Sequence, residues 1–165
     1  MSFLIIAVPA GMATRCALSE YLDGVPFLAL VDDDQHSALL LTRMLLAHGS
    51  PDVQWLGGAM DGRLALARIL SDPAADWPGL LIVDLKAHSN ASLEFVSSIQ
   101  ALARQKGVPV VVMAPPLDRQ GREALHEAGA SGVFFRHADR DAYRREAAGI
   151  VSFWARNQRL DAVGM

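Results

Sequence analysis

Three consecutive aspartates, Asp32-Asp33-Asp34, follow the apolar run Phe27 to Val31, and a fourth, Asp84, follows the run Leu80 to Val83. Carboxylates crowded into one place repel, and the repulsion is relieved by proton uptake or by a cation. A hard divalent ion such as Mg2+ suits such a set, because it takes few carboxylates, keeps several waters and bridges to phosphate oxygens. The chemistry expected of Asp32, Asp33 and Asp84 is therefore cation binding, on condition that the two runs are neighbouring strands. Each residue also has a plainer reading. Asp34, or Asp33, can cap the helix that follows, since Asp is a favoured N-cap and its charge suits the helix dipole; for Asp34 alone the capping role is preferred. Asp84 alone is equally well a loop residue.

The elements that must position these carboxylates are legible as an alternation. From residue 25 onward, short apolar runs alternate with longer amphipathic stretches, the pattern of a parallel sheet with crossover helices. The strands are expected at Phe27 to Val31, Val53 to Leu56, Leu80 to Val83, Val110 to Met113 and Gly132 to Phe135. Three of these are unbroken apolar runs, as for strands covered on both faces. A first helix is expected over Gln35 to His48, burying Leu40, Met44 and part of the leucine run before Gly49, and a second from an Asp61-Gly62 turn to Pro73 with Leu66, Ile69 and Leu70 inward. The third is expected over Ala91 to Gln105 and the fourth over Asp118 to Ala128, closed by Gly129. The fifth, Asp139 to Asn157, sets Tyr143, Ala147, Ile150, Val151 and Trp154 on one stripe. In an open α/β sheet ligands sit at the carboxyl ends of the strands, which is where the aspartates lie.

Composition narrows the class. The 165 residues suffice for one domain with a substantial core, and 52% hydrophobic against 20% charged residues excludes a disordered chain. A net charge of -3 makes no electrostatic case for nucleic acid. Cys16 is alone, so it can form no internal disulfide and suits a reducing cytoplasm. The opening run Phe3 to Val8 has no basic leader, is interrupted by Pro9 and is too short to span a bilayer, so no membrane association is expected. Residues 1–24 read as an N-terminal extension, 25–157 as the domain and 158–165 as a tail.

Five stretches, in order, resemble the response-regulator receiver family of two-component signalling, over about residues 26–157. Leu28-Ala-Leu-Val-Asp-Asp-Asp34 is similar to its first strand and acidic pair. Met60-Asp-Gly62 with Ala65-Leu66 resembles the start of its second helix, and Leu81-Ile-Val-Asp-Leu85 its phosphoacceptor strand. Val108-Pro-Val-Val-Val-Met113 and Gly129-Ala-Ser-Gly132 complete the set. The resemblance implies a flavodoxin-like, doubly wound (βα)5 fold with strand order 2-1-3-4-5. It implies that Asp84 accepts a phosphoryl group from a sensor histidine kinase or phosphotransfer protein, and that Asp32, Asp33, Asp84 and the backbone carbonyl of Lys86 hold Mg2+. It further implies a cytoplasmic, non-enzymatic protein that signals to a downstream protein target.

The departures from the family pattern matter as much. The family's switch hydroxyl falls on Ala114, its switch aromatic on Val133, its phosphoryl-contacting lysine on Arg136 and the following proline on His137. Arginine keeps the charge but is larger and planar. Two readings follow: a receiver still phosphorylated on Asp84, favoured by the complete acidic trio, or a degenerate receiver acting as a phosphorylation-independent interaction module. A third, an aspartyl-phosphate hydrolase, ranks lowest, because its acid–base Asp two residues after the nucleophile is here Lys86. Lys86 either bridges the acidic cluster or points to water. His88 reads as a surface histidine, with no second ligand at metal spacing. Phe153-Trp154 resembles a pair in phytochrome-associated single-domain response regulators, although core packing is the better account of Trp154. Phe153 lies off the main stripe, which suggests an apolar patch and a homodimer through the face of the fourth helix, fifth strand and fifth helix. Arg140, Arg144, Arg145, Arg156 and Arg159 make the last helix basic, by default a solvated face.

Overall fold

Strands buried on both faces need apolar side chains at every position, because successive residues point to opposite sides of a sheet. This requirement is met in β1 (Phe27–Asp32), β3 (Leu80–Asp84) and β4 (Val110–Ala114), each buried along its whole length in the computed structural model, which describes residues 26–163. The N-terminal extension and Cys16 lie outside the described residues, as does the side chain of Arg159. The two flanking strands, β2 (Asp52–Trp55) and β5 (Gly132–Phe135), are only partly covered, as edges are. All five pair in parallel in the order β2-β1-β3-β4-β5, the doubly wound order that the resemblance implied.

The alternation splits each central strand between two cores. Leu28, Leu30, Leu80, Ile82, Val111 and Met113 face helices α1 (Gln35–Ala47) and α5 (Arg140–Val163). Ala29, Val31, Leu81, Val83, Val110 and Val112 face α2 (Ala59–Ser71), α3 (Ala91–Gln105) and α4 (Arg119–Ala128). Gly129 closes α4 at φ 126°, a conformation that costs glycine little and a Cβ much.

Four expectations are corrected. In α1 Met44 and part of the leucine run are buried as expected, together with Ala38, but Leu40 is only partly buried at the margin of that stripe. Helix α5 continues to Val163, past the expected end at Asn157, because neither glycine nor proline interrupts that stretch. Phe153 is not part of an exposed patch: it packs against the α1/α5 core and meets Phe134 edge-on, with ring centroids 6.4 Å apart. Among the residues whose side chains are described, the large exposed apolar ones are Leu39, Leu46, Trp55, Met60 and Leu64, none of them on α4, β5 or the described part of α5.

The fourth correction concerns Asp61-Gly62, which is no turn. Helix α2 starts at Ala59, and Gly62 is buried in its first turns where the helix crosses β1. A Cβ there would stand 2.8 Å and 3.0 Å from the two methyls of Val31. Gly62→Ala should gain about 1 kcal/mol of helix propensity and lose more to overpacking, for a net destabilisation of about 1–2 kcal/mol. A lowered urea midpoint at unchanged slope would show it.

Candidate functional site

Adjacent parallel strands β1 and β3 place Asp32 directly opposite Asp84 at their carboxyl ends, and both side chains are fully buried. The neighbourhood on which the carboxylate chemistry depends is therefore present for this pair. Lys86, two residues beyond β3, folds back over them. Its Nζ donates to Asp32 Oδ1 at 2.7 Å and to the Asp84 carbonyl at 3.0 Å, and stands 3.2 Å from Asp84 Oδ1. Of the two sequence readings of this lysine, the bridge to the acidic cluster is the one observed.

Arg136 approaches Asp84 from the end of β5. Its Nη1 donates to Asp84 Oδ1 at 2.5 Å and to the Met113 carbonyl at 3.0 Å. Its backbone N–H donates to the Ala114 carbonyl at 2.7 Å, which ties the end of β5 to β4. Glu146 on α5 steadies the same loop, accepting from Phe135 N at 2.5 Å with His137 Nε2 3.8 Å away. Two anionic and two cationic side chains thus meet at the sheet end.

The other two aspartates point to backbone. Asp33 is exposed, and its carboxylate accepts from Lys86 N at 3.0 Å and from Ala87 N at 2.9 Å, pinning the loop after β3. Asp34 is the N-cap of α1, accepting from His36 N at 2.9 Å and Ser37 N at 3.3 Å, the role preferred from sequence.

Burial is the largest influence on Asp84 and pushes its pKa up; Lys86 pulls it down, Asp32 pushes it up and Arg136 pulls it down, leaving it above the ordinary carboxylate value. Tyr143 on α5 feels the same pair: burial first, then the negative charges of Asp84 and Asp32, raise its phenol pKa. Sequence reasoning placed Tyr143 on a core stripe and missed this proximity, although a hydroxyl on an otherwise apolar stripe was a signal. Trp55 was missed too. Its Nε1 donates to the Asp32 carbonyl at 2.9 Å from the end of β2.

The arrangement does not suit a resident divalent ion as it stands. Among the described residues no group of three or more His, Cys, Asp or Glu side chains is disposed to hold a metal. Asp33 is engaged by loop amides, and the ammonium of Lys86 lies between Asp32 and Asp84, where an ion bridging them would sit. The Oδ2 atoms of Asp32 and Asp84 are buried without a hydrogen-bond partner among the described residues, so each retains acceptor capacity. His88 is exposed and stands 3.6 Å from Glu94, as a surface histidine does.

No protein-family model matches the sequence, and neither does any curated protein. Solved structures do match. The cyanobacterial phytochrome response regulator RcpA, in its phosphorylated form, aligns over 79% of this chain and 94% of its own at 20% identity and a TM-score of 0.63. The Mn2+-bound form of the response regulator Rcp1 aligns over 78% of this chain and 94% of its own, at 19% identity and a TM-score of 0.62. The chain has the receiver fold. A protein described as related to pilus assembly, from Burkholderia pseudomallei, shares it, with 81% of this chain and 92% of that one aligned at 16% identity and a TM-score of 0.63.

Ala114 and Val133, where the resemblance led us to expect the switch residues, are small and buried or partly buried. Ala114 ends β4 with a methyl group, and Val133 in β5 packs against the α2/α3/α4 core. Neither supplies a hydroxyl or a ring. No helix among the described residues is long and apolar enough to cross a membrane.

Proposed function

We propose that this chain is a cytoplasmic, non-catalytic receiver-fold module that signals by binding a protein partner without Mg2+-dependent phosphorylation of Asp84. The observation that carries this reading is the position of Lys86 Nζ, in contact with Asp32 Oδ1 and Asp84 Oδ1. A phosphoryl acceptor needs a cation that neutralises the incoming oxygens as well as the carboxylate. Here the cation is tethered, shared with Asp32, and joined by Arg136 on the same Asp84 oxygen. Ala114 removes the hydroxyl that would hold a transferred group.

A second reading keeps Asp84 as the phosphoacceptor for a histidine kinase or phosphotransfer protein. In it Asp32, Asp33, Asp84 and the Lys86 carbonyl serve as Mg2+ ligands, and Arg136 contacts the phosphoryl group. It is favoured by the unpartnered Oδ2 atoms of Asp32 and Asp84 and requires Lys86 Nζ to leave them.

The two readings separate in one experiment. The protein is incubated with acetyl phosphate and Mg2+ and its intact mass recorded. The expected result is no adduct in the wild type. A hydroxylamine-labile gain of one phosphoryl group, absent from Asp84→Asn, would overturn the first reading and establish the second.

A further inference from the structure

We propose that the cleft between the β3–α3 loop and the start of α4 binds a small amphipathic carboxylate. The cleft measures about 380 Å3, within the range of small-molecule sites. It exists because the residues around it are small: Ala114 at the end of β4, and Gly121 and Ala124 on the facing side of α4. Leu93, Leu117 and Leu125 make its walls apolar, and such a surface is better covered by hydrocarbon than by water.

Charge selects the class of occupant. Among the described residues the ionisable ones lining the cleft are Lys86, His88 and Arg136, with no aspartate or glutamate. Lys86 Nζ is committed to Asp32 and Asp84, but Arg136 is not fully used. Its Nη1 serves Asp84 and Met113, whereas Nε and Nη2 donate to no described residue. A guanidinium edge with spare donors matches a carboxylate in geometry and in charge. The ligand therefore has an apolar body against Leu93, Leu117 and Leu125 and an anionic head at Arg136. Bound there it contacts both loops beside Asp84. The inference makes no assumption about phosphorylation of that residue, and the mass experiment above leaves it untouched.

The test is a titration of the full-length 15N-labelled protein with octanoate and 1-naphthoate, and with octanamide and 1-naphthamide as uncharged counterparts, followed by amide chemical shifts. The acids are expected to perturb residues of the β3–α3 loop and of the Ala114 to Leu125 segment, saturably, and to bind about tenfold or more tightly than the amides, as one charge-assisted contact supplies. Ala124→Phe, on a partly exposed helix face, should fill the cleft and abolish the perturbations without loss of fold. Arg136→Gln should erase the preference for acid over amide. Absence of perturbation by all four compounds, equal affinity of acids and amides, or unchanged binding in Ala124→Phe would each overturn the proposal.

Discussion

Lys86→Ala is expected to melt roughly 5–10 °C below the wild type in EDTA and to recover part of that loss in millimolar Mg2+, to which the wild type is indifferent. Removing one partner of a buried ion pair leaves the other charge uncompensated, at a cost of about 3–5 kcal/mol when both are fully buried. Asp32 and Asp84 are fully buried but the Lys86 side chain is 27% exposed, so the low end of that range applies. For a domain of this size each kcal/mol shifts the melting temperature by about 2–4 °C. Without the ammonium, Asp32 and Asp84 face each other across one strand pair, and a divalent ion binding the folded form alone stabilises it by mass action. Scanning calorimetry of both proteins with EDTA and with Mg2+ reads the effect directly. A wild type stabilised by Mg2+ as strongly as the variant would sink the idea that Lys86 stands in for the ion.

The second large effect is on pH dependence. Asp84 has a folded-state pKa above its ordinary value, with burial as the leading cause. The folded protein therefore holds this proton more tightly than the unfolded chain does. Its contribution to stability is complete below the ordinary carboxylate range and is lost as pH rises through the folded value, with each tenfold difference in proton affinity worth about 1.4 kcal/mol. Asp84→Asn resembles the protonated form at every pH and does not titrate. The variant should therefore be more stable than the wild type at pH 8, with a higher melting temperature, and the gap should close as pH falls through the folded pKa of Asp84. Melting curves at matched ionic strength from pH 4 to pH 8 would show it. A gap independent of pH, or a variant less stable at pH 8, would mean that Lys86 and Arg136 outweigh burial at this carboxylate.

Both expectations rest on residues whose positions were unequally visible beforehand. The strands were legible because full burial on two faces demands apolar side chains at every position, which leaves an unbroken run in the sequence at Leu28 to Val31, Leu80 to Val83 and Val110 to Met113. Asp34 was legible as a cap because a cap is a local device, settled within three residues. The start of α2 was misplaced for the opposite reason. Gly62 is small because of Val31, thirty-one positions earlier in the chain, and a glycine demanded by a distant contact looks the same in sequence as one demanded by a turn.

By itself, then, the sequence determined the alternation of strands and helices, the acidic residues at the strand ends and the hydroxyl-free alanine that ends β4. Those are properties of single residues and short runs. Tertiary structure decided what the acids do: Asp32 and Asp84 meet, Asp33 turns to loop amides, and Lys86 and Arg136 bring two positive charges to Asp84. The physical reason is that the worth of a charge depends on its burial and on what stands within a few ångströms of it. Folding sets both, and a flexible lysine two residues beyond a strand carries no mark of which way it will bend.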